Sequence, residues 1–109
     1  MKLFTDGMPE DYKSNGCGAE NARFDFVPDT IYGVSITPAC KVHDWMYSKG
    51  RTIEDKDTAD RVFLNNMLRI IESVDKWYYP TSLARRRALK YYEAVRAFGG
   101  SAYWEGKNK

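Results

Sequence analysis

The chain has 109 residues, of which 43% are hydrophobic and 15% aromatic, and its formal net charge at pH 7 is +2. This length predicts one domain over residues 1–109, and the apolar content is enough for a single small core, which argues against a disordered chain. No stretch approaches the roughly 18 consecutive apolar residues of a membrane-spanning helix, and residues 1–7 are too polar for a signal peptide.

The first 35 residues are predicted to form an irregular loop region, because closely spaced glycines and prolines break any long helix. The sharpest bend is at residues 15–18, where Gly16 and Gly18 flank Cys17. Two glycines allow the backbone to turn its carbonyls or amides inward, an arrangement that suits an ion. A simple tight turn is the alternative.

A first helix is predicted from Thr37-Pro38 to Gly50. Threonine can cap the unpaired amides, proline fits the first helical position, and glycine is typical of a helix end. A short hairpin near Gly50-Arg51 remains open.

This helix carries His43, the only histidine of the chain. Helical spacing places Cys40, His43 and Tyr47 on one face, whereas Asp44 points about 100° away and lies one turn after Cys40. A lone histidine on a helix is most often a structural residue that forms a hydrogen bond, so its neighbours must decide whether it is catalytic.

A second helix is predicted from Thr52 onward, with Asp55 or Asp57 as its cap, and it is predicted to end at residues 77–80, where Pro80 disfavours helix in the residue before it. Its apolar residues recur every three or four positions and predict one buried face: Ala59, Val62, Phe63, Met67, Ile70, Ile71 and Val74. Asp60 lies at the border of that face. If the first two helices pack antiparallel, Asp60 meets His43 and can hold its ring tautomer. The alternative for Asp60 is an interaction with the dipole at the helix N-terminus.

Asp44 cannot orient His43, because adjacent helical residues point apart. No serine or cysteine has the setting of a nucleophile, so a His43–Asp60 pair would activate water. Such a site needs a group that stabilises an oxyanion. A hard cation held by Asp44 and by loop carbonyls would do this, and these oxygen ligands favour calcium over zinc.

A third helix is predicted from Thr81 or Ser82 to Gly99-Gly100. Its buried side is predicted to comprise Ala84, Ala88, Tyr91, Val95 and Phe98. Residues 81–109 carry seven Lys or Arg and two acidic residues, against ten and thirteen in residues 1–80, so this part favours anionic partners. The run Arg85–Arg87 with Lys90 is typical of a solvated face, with a membrane or nucleic-acid contact as the alternative. These elements predict an all-α domain with an irregular N-terminal segment.

The two cysteines, Cys17 and Cys40, are compatible with one disulfide in an oxidising compartment. Two buried thiols in a cytosolic protein are the alternative.

Together these residues resemble secreted phospholipases A2, most closely the bacterial and phage-encoded branch. The resemblance rests on the motif Cys40-x-x-His43-Asp44-x-x-x-Tyr47, on Gly16-Cys17-Gly18 before it, and on Asp60-x-x-Phe63 after it. Residues 26–40 resemble the segment that leads into the catalytic helix, and residues 91–99 resemble the closing helix. The similarity spans about residues 15–99.

The resemblance implies that His43 is the base, that Asp60 orients it and that Tyr47 supports the pair by a hydrogen bond. It implies that Asp44 binds calcium together with the carbonyls of Gly16, Gly18 and Glu20, and that the Gly18 amide joins calcium in the oxyanion hole. It also implies a secreted or virion-associated protein with a small phospholipase A2-like fold, in which two long helices pack together behind a calcium loop. Animal enzymes have glycine where Glu20 stands. Because a residue with a Cβ resists positive φ, we expect modest calcium affinity.

The function that these residues predict is calcium-dependent hydrolysis of the sn-2 acyl ester of glycerophospholipids at a membrane surface or micelle. The alternative is a catalytically silent module of the same fold that binds a membrane or a partner through residues 81–96. A nucleic-acid partner is not expected, since only the run Arg85–Arg87 points to one.

Overall fold

The computed structural model describes residues 3–12, 28 and 30–104, with the backbone alone at residues 101 and 102. Within these residues the protein is mostly helical, with one small two-stranded sheet. The elements in chain order are β1 (Thr30–Ile31), β2 (Val34–Ser35), α1 (Thr37–Lys49), α2 (Ile53–Glu72), α3 (Thr81–Phe98) and α4 (Gly100–Trp104). In this described part of the chain, none of the helices is long and apolar enough to cross a membrane.

The first helix has the predicted bounds but not the predicted cap at Thr37. The residue before the first turn is Ile36, which provides no side-chain cap, and Thr37 lies inside the helix. The Thr37 amide instead donates to Ser35 Oγ, 3.2 Å away. Pro38 lies in the first turn, where its missing N–H costs nothing, and Gly50 follows the last helical residue.

The second helix is capped by Thr52, so the predicted caps Asp55 and Asp57 are wrong. Thr52 Oγ1 accepts the Asp55 amide at 3.0 Å, and Asp55 Oδ2 accepts the Thr52 amide at 3.3 Å. This reciprocal pair satisfies two amides that have no partner within the helix. The helix ends at Glu72, well before the predicted end at residues 77–80.

The third helix begins at Thr81, directly after Pro80, and ends at Phe98 before Gly99. Phe98 was expected on the buried face but is 71% exposed. Gly100 does not end the helical structure, because it begins the short helix α4.

Helix α2 lies between α1 and α3 and contacts both. Phe63 packs on His43 while Lys56 lies near Tyr47, so the residue numbers run in opposite directions and α1 is antiparallel to α2. The core includes the following buried residues of these helices: Ala39, Val42, Tyr47, Ala59, Phe63, Met67, Ile71, Ala84, Ala88 and Val95. One side of α2 therefore faces α1 with Asp60 and Phe63, and its other side receives α3.

The small sheet lies at residues 30–35 rather than near Gly50. Its two strands pair antiparallel, and Tyr32 and Gly33 form the turn with φ values of 48° and 81°. Positive φ at both central turn residues matches the twist of a short hairpin. The hydroxyl of Tyr79 donates to the Ile31 carbonyl at 2.8 Å, which fastens the hairpin to the segment before α3.

Candidate active site

A buried histidine–aspartate pair joins α1 to α2. His43 Nε2 lies 2.8 Å from Asp60 Oδ1, and the two residues are 2% and 1% exposed. The His43 ring is packed against Tyr47 and Phe63, with ring centroids 4.1 Å and 4.7 Å away. The antiparallel packing of the two helices thus produces the contact that the spacing of these residues predicts.

Tyr47 completes the hydrogen bonding of the same carboxylate oxygen. Its hydroxyl donates to Asp60 Oδ1 at 2.7 Å, and the side chain is fully buried. The hydroxyl also lies against Gly99: a Cβ on Gly99 would lie 2.7 Å from it and closer still to the Val95 carbonyl. Gly99 therefore gives the room that Tyr47 needs.

Lys56 is a member of this cluster that the sequence analysis did not identify. It lies one helical turn before Asp60, and its Nζ is 2.9 Å from Asp60 Oδ2. The residue is only 4% exposed. The sequence contains a signal for it, because Lys56 falls in the same three-and-four spacing as the buried residues Ala59 and Phe63.

Burial and hydrogen bonding set the charges of the pair. Burial lowers the pKa of His43 below its ordinary value of 6.5, against the opposing effect of Asp60. Burial alone would raise the pKa of Asp60, but the hydrogen bonds from His43, Lys56 and Tyr47 outweigh it, so that pKa is lowered. Near neutral pH the pair is a neutral imidazole and an ionised carboxylate, the state that a general base requires.

Asp44 lies on another side of α1 and is also buried, with 6% exposure. Tyr12 Oη donates to Asp44 Oδ2 at 3.2 Å. The Asp44 charge acts on His43, where it raises the imidazole pKa. The structure thus places a second buried carboxylate close enough to act electrostatically on the histidine.

The predicted loop ligands Gly16, Gly18 and Glu20 lie outside the described residues, as does Cys17. In the ranges that are described, no cluster of three or more His, Cys, Asp or Glu side chains could hold a metal. Cys40 is buried, and no free thiol occurs among the described residues. Its pairing with Cys17 stays a prediction.

Comparison of the chain with protein-family models, with curated proteins and with solved structures finds no match. The chemistry of the site must therefore be argued from its geometry. A neutral imidazole that is oriented by a buried carboxylate can remove a proton from a water molecule or an alcohol.

Proposed function

We propose that this domain hydrolyses the sn-2 acyl ester of glycerophospholipids in a calcium-dependent reaction. The observation that carries the proposal is the buried cluster of His43, Asp60 and Tyr47, in which both donors reach Asp60 Oδ1 within 2.8 Å. The resemblance of these residues to secreted phospholipases A2 assigns the substrate class and the phospholipase A2-like fold.

In the proposed mechanism His43 is the general base. Its Nε2–H donates to Asp60, which leaves the lone pair on Nδ1 to accept a proton from the water that attacks the ester carbonyl. The ionised Asp60 stabilises the imidazolium that forms, and Tyr47 holds the carboxylate in place. The proton then passes from His43 to the leaving alkoxide of the lysophospholipid.

Calcium fits the donor chemistry next to this base. Asp44 supplies a buried carboxylate, a hard oxygen ligand of the kind that calcium prefers, and the resemblance adds the carbonyls of Gly16, Gly18 and Glu20. When bound there, calcium would neutralise the phosphate and the developing oxyanion, together with the Gly18 amide. A single carboxylate gives weak binding, with a Kd on the order of 10⁻⁴–10⁻³ M.

An exposed aromatic pair supports the proposal of a lipid surface as partner. Trp77 is 95% exposed and stacks edge-on with Tyr78, which is 65% exposed. Large aromatic residues are seldom left so open, and tryptophan and tyrosine are favoured where an apolar phase meets water. The basic run Arg85–Arg87 follows in α3 and would attract anionic headgroups.

The basic run Arg85–Arg87 is also compatible with a second candidate function. A silent module of this fold would bind a membrane or a partner through residues 81–96 and hydrolyse nothing. Activity separates the two candidates, because only the hydrolase depends on the His43–Asp60 pair.

The deciding experiment measures fatty-acid release from mixed phospholipid micelles with calcium and with a chelator. We expect release by the wild type with calcium only, and loss of nearly all release in His43→Gln, since His43 is the only histidine of the chain. Asp60→Asn should cost less than His43→Gln. Folded wild type without release, or folded His43→Gln with wild-type turnover, would exclude the proposed mechanism.

Calorimetry tests the metal separately. Asp44→Asn should weaken calcium binding and lower activity together, whereas His43→Gln should bind calcium as the wild type does. Undiminished calcium binding by folded Asp44→Asn would place the metal elsewhere. Magnesium should not support activity, because it demands tighter octahedral geometry and loses its waters reluctantly.

A further inference from the structure

Lys56 is a charged side chain in the interior, with an exposed fraction of 4%. A buried charge costs stability unless it is paired and fully hydrogen-bonded. An ammonium group has three N–H donors, and Lys56 has three acceptors: Asp60 Oδ2 at 2.9 Å and the carbonyls of Val95 and Arg96, each at 3.3 Å. The side chain is thus held in one position.

The two carbonyls belong to the last turn of α3, which ends at Phe98. Carbonyls in the last turn of a helix include groups without partners inside the helix, and the helix dipole makes this end negative. Both effects favour a cation. Lys56 therefore links the Asp60 carboxylate to the end of α3 by charge-assisted hydrogen bonds.

The two oxygens of the Asp60 carboxylate accept hydrogen bonds from different donors. Oδ1 faces His43 and Tyr47, whereas Oδ2 faces Lys56. A carboxylate held at one oxygen only can rotate about its last torsion angle, since that torsion has a broad energy profile. The Lys56 contact at Oδ2 removes this freedom.

We propose that Lys56 is a positioning residue that locks Asp60 with Oδ1 toward His43 and thereby keeps the imidazole hydrogen on Nε2. Only this tautomer leaves Nδ1 free of hydrogen. A catalytic role for this tautomer depends on the proposed hydrolysis. The positioning of the hydrogen on Nε2 by Lys56 and Asp60 does not depend on it. The competing role is a purely structural one, in which Lys56 only fastens α2 to α3.

The histidine itself provides the measurement. Because His43 is the only histidine, the nitrogen NMR spectrum of ¹⁵N-histidine-labelled protein contains one imidazole. The spectrum is recorded well above the ordinary histidine pKa of about 6.5, where the ring is neutral. We expect wild type to be predominantly the Nε2–H tautomer. A wild type with its hydrogen on Nδ1 would overturn the proposal without any variant.

Three substitutions of Lys56 distinguish a role in positioning Asp60 from a purely structural role in attaching α2 to α3. Lys56→Met removes charge and donors, Lys56→Gln keeps a neutral donor, and Lys56→Arg keeps the charge. In folded Lys56→Met or Lys56→Gln we expect a several-fold rise in the minor tautomer and a kcat lower by about 10- to 100-fold. KM should stay unchanged, since the buried Lys56 touches no substrate. Lys56→Arg should restore the wild-type tautomer and most of kcat.

Lys49→Met is the matched control. Lys49 also forms a lysine–aspartate ion pair, with Asp6 at 2.8 Å, but its side chain is 48% exposed and lies outside the cluster. This variant should leave the tautomer and kcat as in wild type.

The outcomes also distinguish this proposal from the proposed function. A tautomer change in Lys56→Met without any hydrolysis by wild type would support the positioning role of Lys56 and exclude the proposed phospholipase activity. Hydrolysis by wild type with unchanged tautomer and kcat in folded Lys56→Met or Lys56→Gln would leave the phospholipase and overturn positioning.

Discussion

Helices α2 and α3 pack side by side, and an ion pair between a basic and an acidic side chain lies at each end of them. One ion pair is buried and the other is exposed to solvent. At one end the side chains of Lys56 and Asp60 are 5% and 1% exposed; at the other end those of Arg85 and Glu72 are 51% and 54% exposed. Asp60 and Glu72 are twelve positions apart in α2, which separates these ends by about 18 Å along the helix. The end with Lys56 and Asp60, the buried end, is shielded from solvent. The end with Arg85 and Glu72, the open end, also exposes Trp77.

This difference shows that a short distance between two charged groups does not by itself reveal how much the ion pair contributes to the stability of the fold. An exposed pair gains little, because water and salt screen it. A buried pair gains no more in net terms, but removing one partner leaves the other charge unpaired in the interior. We therefore expect the buried end to be intolerant of substitution and the open end to be tolerant, with its exposed residues available for a surface partner.

The largest expected effect comes from removing one acid at each end. Asp60→Ala should lower the free energy of unfolding by about 3–5 kcal/mol, because Lys56 is left buried without its carboxylate. Glu72→Ala should lower it by about 0.2–1 kcal/mol. Denaturant unfolding of the two variants measures both values, and equal losses would break the comparison.

A methyl group beside Tyr47 should have the next largest effect. Gly99→Ala would crowd the Tyr47 hydroxyl and the Val95 carbonyl, and we expect a loss of about 1–3 kcal/mol from overpacking. Gly100→Ala is the control, because a Cβ there meets nothing within 4 Å. Thermal unfolding of both should show a lower Tm for Gly99→Ala alone. A Tm for Gly99→Ala at or above that of Gly100→Ala would contradict the close packing.

Acid should weaken the buried end through Asp60. Its pKa in the folded protein lies below the ordinary 3.8, so the unfolded chain binds the proton first as pH falls. The stability from ionised Asp60 is therefore complete above pH 3.8 and is lost as pH falls through the lower folded pKa. Protonation of His43 weakens folding in a separate, higher window, from pH 6.5 down to its lowered folded pKa.

Comparison of wild type with Asp60→Asn isolates the carboxylate. The stability advantage of wild type over this variant should shrink as pH falls below 3.8, and urea unfolding at a series of pH values measures it. An advantage that stays constant, or grows toward acid, would show that Asp60 is not stabilised as an anion.

The smallest effect on stability is expected at the open end. Trp77→Ala should change the free energy of unfolding by less than about 0.5 kcal/mol, since the side chain is 95% exposed. It should still weaken binding to anionic phospholipid vesicles in a sedimentation assay. Ile53→Ala is the control, because Ile53 is 53% exposed but begins α2 at the opposite end. Equal vesicle binding by wild type, Trp77→Ala and Ile53→Ala would show that Trp77 does not contribute to lipid binding.

Much of the helical framework follows from local sequence signals. Pro38 and Pro80 mark the starts of α1 and α3, because proline fixes φ and lacks the amide hydrogen, and Gly50 and Gly99 directly follow the last residues of these helices with ordinary negative φ. The contact of His43 with Asp60 follows from helical spacing together with antiparallel packing. The roles of these residues in catalysis remain predictions.

The errors occur where tertiary contacts decide. Phe98 fits the apolar spacing of α3, yet it is the last residue of the helix and is exposed. Lysine is almost never fully buried unless it is paired, so the residue type alone does not indicate that Lys56 is buried. Its partner Asp60 is only four residues away, but its other two acceptors are carbonyls about 40 residues later in the chain, which no local pattern reveals.

The link from Lys56 to Val95 and Arg96 has a consequence for biosynthesis. A chain grows from its N-terminus, so His43, Lys56 and Asp60 are synthesised before the carbonyls that complete their hydrogen bonding. Until α3 has wound to its last turn, the Lys56 ammonium retains its water, and the helix pair cannot close over it. A nascent chain that stops short of residue 96 should therefore lack the closed cluster of His43, Lys56 and Asp60, which forms only after almost all of the described chain has been made.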